Sequence, residues 1–317
     1  MKKVLIIGAN GFVGTHLARE LKNNSYICLG ADLNDISDNN EFDSVYKLNI
    51  LDEESINIVL EKTRPDYIIN LAAISSVKKS WDIPSVTFDV NVKGTINILE
   101  CIRKAGLKAR VLLIGSSEQY GKIDYSKAVS EDSELNSINP YGISKYTQEK
   151  VALMYKEAYG IEVILVRAFN HIGPGQGKGF VIPDFVSQVV GIKNKGIKSN
   201  ITVGNLSAKR DFTDVRDIVC AYRLLLEKGV SGEIYNVGSG IEVEIKQVLN
   251  LIIKLVGLDI EVIVDENKYR RIETPSIVCD NSKLKNATGW GIKYKLEESL
   301  IDIIEYWNAY ENMEEPR

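Results

Sequence analysis

Tyr141 and Lys145 lie four residues apart, directly after Asn139 and Pro140. Asn is a favoured helix cap and Pro a favoured first helical residue, so the spacing predicts a helix carrying phenol and amine on one face. An ammonium beside a phenol favours the phenolate, and bringing a tyrosine from ~10 towards neutrality takes ~4 kcal/mol of differential interaction. Such a pair can give or take a proton while a carbonyl and an alcohol interconvert. Ser116, in Gly115-Ser116-Ser117-Glu118-Gln119-Tyr120-Gly121, follows the apolar run 111–114 and is placed to hydrogen-bond the reacting oxygen. Alone it would read equally well as a strand-end turn serine. Tyr146 and Lys150 repeat the spacing, but five positions of helical rotation turn them off the Tyr141 face.

A second constellation opens the chain. Gly8-Ala9-Asn10-Gly11-Phe12-Val13-Gly14 follows a short apolar strand and begins a helix. Glycines there let backbone N–H groups and the helix N-terminus approach a pyrophosphate. The spacing is GxxGxxG rather than GxGxxG, and any tight strand-to-helix turn favours glycine, so the triplet alone is weak. Asp32 ends the second strand, where a carboxylate accepts hydrogen bonds from the adenosine ribose. It would repel a 2'-phosphate, and Leu33 and Asn34 supply no arginine to hold one. NAD(H) is therefore expected ahead of NADP(H), and its positive nicotinamide ring, together with Lys145 in a sheltered cleft, is expected to supply the lowering of the Tyr141 phenol.

Both constellations need a scaffold. Apolar runs at 4–7, 26–31, 67–71, 111–114 and 163–166 alternate with amphipathic stretches at 14–22, 53–62 and 92–105. Strands apolar throughout and separated by helices predict an α/β fold, a doubly wound parallel (Rossmann) sheet covered on both faces. The glycine turn and Ser116 would then share the carboxyl edge of that sheet. After Arg167 the rhythm breaks at a Gly- and Pro-rich stretch, 171–179. Helices are expected at 182–191, 215–227, 245–256 and 296–310, with strands near 201–204 and 234–237. The division expected is a cofactor domain over 1–168, to which 215–238 returns, and a smaller C-terminal substrate lobe over 169–312. The polar tail 311–317 is expected to fray.

Bulk properties narrow the partners. The 317 residues carry 39 Lys plus Arg against 43 Asp plus Glu, a net charge of -4, with no basic block. That argues against nucleic acid, which demands a concentrated cationic surface. Cys28, Cys101, Cys220 and Cys279 are scattered and only His16 and His171 are present, which fits reduced thiols in a cytoplasmic protein and no metal site. No run approaches the ~20 apolar residues of a membrane span, and Gly8 cuts the first apolar run far below signal-peptide length.

With these motifs, the runs Asn91-Val92-Lys93-Gly94-Thr95-Ile96-Asn97-Ile98-Leu99-Glu100 and Arg167-Ala168-Phe169-Asn170 make nearly the whole chain resemble the extended short-chain dehydrogenases/reductases. The resemblance implies Ser116, Tyr141 and Lys145 as the catalytic set, with Lys145 also binding the nicotinamide ribose. It places Asn49 and Ile50 near adenine, Asn49 standing where Asp is usual, and Leu71, Ala72 and Ala73 beside the cofactor.

Two stretches, Phe169-Asn170-His171-Ile172-Gly173-Pro174-Gly175-Gln176 and Gly204-Asn205-Leu206-Ser207-Ala208-Lys209-Arg210-Asp211-Phe212-Thr213-Asp214, are similar to the GDP-mannose branch of that family, its 4-keto reductases in particular. They imply a GDP-linked sugar held by Ser117, Glu118, Asn170, Gly179, Phe180, Asn205, Arg210, Arg270 and Glu273. Arg210 and Arg270 suit a diphosphate because guanidinium binds phosphate in a two-pronged fashion. Their plainer reading is surface pairing with Asp211, Asp214 or Glu273, and Arg271 stands where Pro would follow the second arginine. The implied reaction is reduction of the 4-keto group of GDP-4-keto-6-deoxy-D-mannose to GDP-6-deoxy-D-mannose. Glu118 leaves an alternative, since related dehydratases place an acid there: GDP-mannose 4,6-dehydratase or another nucleotide-sugar epimerase/dehydratase. A more remote one is a noncatalytic NAD-sensing protein on the same fold. Relatives also suggest a homodimer formed through helices 92–105 and 140–159.

Overall fold

Most strands of the large sheet are short, apolar and buried, which is what a sheet covered on both faces requires. In chain order they are β1 (Lys3–Ile7), β2 (Ile27–Asp32), β3 (Ser44–Lys47), β4 (Tyr67–Asn70), β5 (Arg110–Ser116), β6 (Val163–Ala168), β7 (Asn170–Ile172), β8 (Asn200–Val203), β9 (Lys209–Asp214), β10 (Ile234–Val237), β11 (Glu242–Glu244), β12 (Glu261–Val264) and β13 (Ser276–Ile277). The helices are α1 (Phe12–Asn23), α2 (Glu53–Thr63), α3 (Val77–Asp82), α4 (Pro84–Phe88), α5 (Gly94–Lys104), α6 (Pro140–Tyr159), α7 (Val181–Lys195), α8 (Val215–Lys228), α9 (Ile245–Val256), α10 (Ser282–Thr288) and α11 (Leu296–Glu314). The structure, a computed structural model, describes residues 1–34, 39–124, 126–196, 200–269, 272 and 274–314.

Seven strands form one sheet in the order β10-β6-β5-β4-β1-β2-β3, every neighbouring pair parallel. The chain starts at the centre and winds outward in both directions, so the doubly wound α/β expectation is met. The register sets Ile7 beside Ala31 and Asn70, which brings the ends of β1, β2 and β4 level. On one face, Leu17 and Leu21 of α1 and Ile218, Tyr222 and Leu225 of α8 bury Val4 and Ile6. On the other, α2, α5 and α6 cover Leu5, Ile7, Val111 and Leu113. Alternate residues of one strand thus feed opposite cores, the period-2 consequence of the pleat.

β10 joins the sheet edge and α8 packs on α1, so 215–237 belongs to this layer stack. Leu284 of α10 and Trp290 enter the same core, a second return that the apolar pattern of that stretch gives no sign of. The remaining elements bury their own core from α7, α9 and α11, with Val186, Ile252 and Ile303 fully buried. A small sheet, β11-β9-β13 with β7 alongside β9, contributes Ile172 and Phe212 to that core. α11 runs to Glu314, into the tail expected to fray, and residues 315–317 lie outside the described residues. No helix among the described residues is long and apolar enough to cross a membrane.

Candidate active site

The turn from β1 into α1 is built for close approach. Gly8 has φ +83, and a Cβ there would lie 2.6 Å from Ala72 N, so a glycine lets the β1 and β4 ends touch. Gly11 and Gly14 follow, with Gly14 N–H donating to Gly11 O at 3.0 Å. Asn10 and Gly11 are exposed, while Phe12 and Val13 open α1. No side chain caps that helix and no acid stands in its first turn, which leaves the N-terminal dipole available to an anion. Asp32, at the end of β2, accepts from Asn10 N–H at 3.0 Å and Asn34 N–H at 3.1 Å. Its carboxylate therefore braces the turn as well as facing the sheet edge.

Leu71, Ala72 and Ala73 leave β4 at the same edge, Leu71 N–H donating to Ile7 O and Ala72 N–H to Asn70 Oδ1. Asn49 spends its carboxamide oxygen on Leu51 N–H, and Ile50 is buried with its carbonyl accepting from Asn97. The loop 173–176 closes over α1: His171 stacks on Phe12 with ring centroids 6.0 Å apart, and His16 Nε2 lies 2.8 Å from Pro174 O. Burial holds both imidazoles below the usual histidine range, so they are neutral packing groups at pH 7. On that loop Gln176 Oε1 is buried and has no partner among the described residues, an acceptor that a bound ligand would satisfy. Glycine turn, uncapped helix, terminal aspartate and orphaned acceptor together fit a dinucleotide.

Tyr141, Lys145 and Glu149 occupy the buried face of α6, at successive steps of four. Asn139 caps the helix by accepting Gly142 N–H at 2.8 Å, and Pro140 starts it, as the sequence predicts. Tyr146 and Lys150 do lie elsewhere, the ammonium stacked on the phenol ring at 5.3 Å. Ser116 ends β5 and its hydroxyl bonds the Tyr141 phenol. Lys145 Nζ reaches Ile114 O at 2.7 Å and Gln148 Oε1 at 3.0 Å.

In the protein alone, burial dominates the electrostatics of this pair. Burial pushes the Tyr141 phenol up to about 12, the Ser116 hydrogen bond lowers it and the Glu118 charge raises it. Burial holds the Lys145 amine down at about 7, so near neutral pH it carries only part of a full positive charge. In the protein alone, Tyr141 is a protonated acid at neutral pH.

Beside these residues, a small open cleft is lined by Ser117, Glu118, Gly121, Asn170, Arg210, Thr274 and Ile277. It gathers four residues expected to hold substrate: Ser117, Glu118, Asn170 and Arg210. Glu118 Oε2 accepts from Asn139 at 2.9 Å. Arg210 is no surface residue: it is buried, and its guanidinium donates to the carbonyls of Lys209 and Thr274 at 2.8 Å. Burial takes it off the surface, while Glu273, one of the partners the surface-pairing reading named, lies outside the described residues. Asn205 turns back on Ser207, while Gly179 donates to Asp184 and Phe180 sits exposed at the start of α7. These three are not among the residues lining the cleft. Arg270, Arg271 and Glu273 lie outside the described residues. Thr274 and Ile277 carried no sequence signal, while Gly121 and Gln176 lie inside motifs quoted above without having been singled out as site residues.

Comparison with known proteins places this geometry. The family described as GDP-mannose 4,6 dehydratase matches residues 5–303. A GDP-6-deoxy-D-mannose reductase of Pseudomonas aeruginosa is 29% identical over 97% of this chain and 98% of its own. A GDP-6-deoxy-D-talose 4-dehydrogenase of Aggregatibacter actinomycetemcomitans is 30% identical over 95% and 96%. The solved structure of RMD from Pseudomonas aeruginosa complexed with NADPH superposes with a TM-score of 0.88 at 28% identity, covering 98% of this chain and 100% of that one.

Proposed function

Because the chain belongs to the GDP-mannose 4,6 dehydratase family and is an NAD(P)-dependent nucleotide-sugar enzyme of the extended short-chain dehydrogenase class, we propose that it reduces the 4-keto group of GDP-4-keto-6-deoxy-D-mannose to GDP-6-deoxy-D-mannose. The observation that carries this reading is Tyr141, protonated and bonded to Ser116, beside a cleft lined by Ser117, Glu118, Asn170 and Arg210. A phenol that keeps its proton is the form needed to donate to a carbonyl oxygen, whereas starting from an alcohol needs the phenolate.

The nicotinamide cofactor, when bound, supplies the hydride. Gly8, Asn10, Gly11, Phe12, Val13 and Gly14 would hold its diphosphate and Asp32 its adenosine ribose, with Lys145 donating to the second ribose. Ser116 orients the ketone oxygen, Tyr141 protonates it, and solvent then restores the phenol. Arg210, anchored by two carbonyls, is rigid enough to hold a diphosphate without rearrangement. Asp32 supports NADH as the preferred reductant, although the solved relative binds NADPH. With the 4-keto sugar nucleotide, NADH absorbance is expected to fall, with kcat/KM for NADH about 10-fold or more above that for NADPH, one ribose carboxylate contact being worth ~1.4 kcal/mol or more. Unchanged absorbance with both reductants removes the assignment, and equal efficiency removes the preference.

Glu118 favours a second reading, since a carboxylate lining the cleft beside Tyr141 is placed to take the proton next to a ketone. Incubation with GDP-mannose alone separates the two: a 4-keto-6-deoxy product formed without added reductant selects the 4,6-dehydratase. We also read Val86, Phe88, Ile143 and Met154, exposed on α4 and α6, as supporting a homodimer through these helices. Light scattering that returns the mass of one chain at micromolar concentration would end that reading.

A further inference from the structure

Ser116 is small, sits at the very end of β5 and lacks bulk to fix its own place. Its backbone N–H donates to Gln119 Oε1 at 2.8 Å, and its hydroxyl caps Glu118 N–H at 3.2 Å, closing a reciprocal capping box over Ser117–Gln119. Gly115 makes room for this arrangement. A Cβ there would collide with Gln119 Oε1 and come within 2.6 Å of Val166 O. Gln119 is fully buried, and its Nε2 donates to Glu149 Oε2 at 2.9 Å. Glu149 in turn is gripped by Arg167 through two bonds of 2.8 and 2.9 Å, with both side chains nearly wholly buried. Arg167 continues to Tyr120 OH at 3.0 Å, and Tyr120 to Asn236 at 2.6 Å.

Glu149 stands on the same face of α6 as Tyr141 and Lys145. The hydrogen-bond donor from β5 and the acid from α6 are therefore referred to one buried anchor. Carboxamide is the group this place requires: its oxygen satisfies a buried N–H and its nitrogen gives Glu149 a third donor without burying another charge.

We propose that Gln119 is a positioning residue of the reaction, holding Ser116 in register with Tyr141 by bridging its backbone to the Glu149–Arg167 pair. The role rests on the acid chemistry proposed for Tyr141 and Ser116, and its test separates the two. Gln119→Met keeps length and removes both hydrogen bonds. Turnover of the 4-keto sugar nucleotide is expected to fall about 10- to 100-fold, as for a reacting group misplaced by ~1 Å, with KM for both substrates within about 3-fold. In a Ser116→Ala background the same change is expected to have less than about 3-fold further effect, because the residue acts through the serine.

Gln119→Glu supplies a second signature. The introduced carboxyl can serve Ser116 N–H in either state but can donate to Glu149 only when protonated. Its kcat is expected to approach that of the parent at low pH and to fall as pH rises, a limb the parent lacks. Equal losses for Gln119→Met in both backgrounds, or a parental pH profile for Gln119→Glu, overturn the positioning role. Should Gln119→Met not fold, the Gln119→Glu profile decides. If Ser116→Ala alone leaves kcat unchanged, the catalytic reading itself fails and the positioning role with it.

Discussion

Tyr141→Phe is expected to lower turnover of the 4-keto sugar nucleotide by about 10^3-fold while cofactor affinity stays within about 2-fold, the loss typical of removing a placed general acid. The phenol is buried at 8% exposure, so water cannot stand in for it without opening the site. Phenylalanine preserves the ring volume and its packing under α3, where Tyr141 N–H meets Ser80 Oγ at 3.2 Å. Stability should therefore change by only about 1 kcal/mol, the usual worth of one buried hydroxyl hydrogen bond. The sign of the pH response follows from the phenol, held at about 12. Reduction uses the protonated form, which is fully present at neutral pH and is lost only as pH climbs towards 12. The reverse oxidation uses the phenolate and should accelerate with rising pH. Single-turnover kinetics read both. Retention of more than a tenth of parental turnover would remove Tyr141 from the reaction.

Lys145→Met should abolish reduction and yet change stability in a pH-dependent direction. The amine is buried and held at about 7, against 10.5 when free. Across that window the unfolded chain carries the proton and the folded chain does not, so native stability rises with pH from about 7 to 10.5. Below pH 7 the folded protein bears the whole net penalty of a buried charge, about 5 kcal/mol for such a shift. The methionine variant has no such penalty. Relative to the parent it should be several kcal/mol better placed at pH 6 than at pH 10, which denaturant titration at the two values measures. A difference independent of pH would show that the amine is not buried against its charge. Retaining a destabilising lysine is what a site residue selected for chemistry does.

These two residues show what a sequence discloses. The i, i+4 placement of Tyr141 and Lys145 follows from helix geometry alone, and the glycine turn from the order of strand, turn and helix. Apolar runs disclosed β1, β4 and β6 because burial on both faces leaves no polar alternation. β3, a half-exposed edge strand of Ser44, Val45, Tyr46 and Lys47, has too little apolar content to be seen. β9 is the reverse case, buried yet written with Arg210, Asp211 and Asp214, whose charges are met by partners far along the chain such as Ser239 and Ser299. The same distance hid the contacts behind Ser116, since Glu149 and Arg167 lie 30 and 48 residues beyond Gln119 in sequence. Burial was hidden in the same way: the amine four residues from Tyr141 was legible, but not that burial would hold the amine down and the phenol up in the protein alone.

The measurement that reaches the central claim most directly is isotopic. The protein is mixed with GDP-4-keto-6-deoxy-D-mannose and NADH deuterated at its transferable position, and the sugar nucleotide is examined by NMR and mass spectrometry. One deuterium at carbon 4 of a 6-deoxy-mannose product, for each reductant consumed and only with Tyr141 present, is the predicted result. A reductant left unconsumed, or a product with no deuterium at carbon 4, would contradict it.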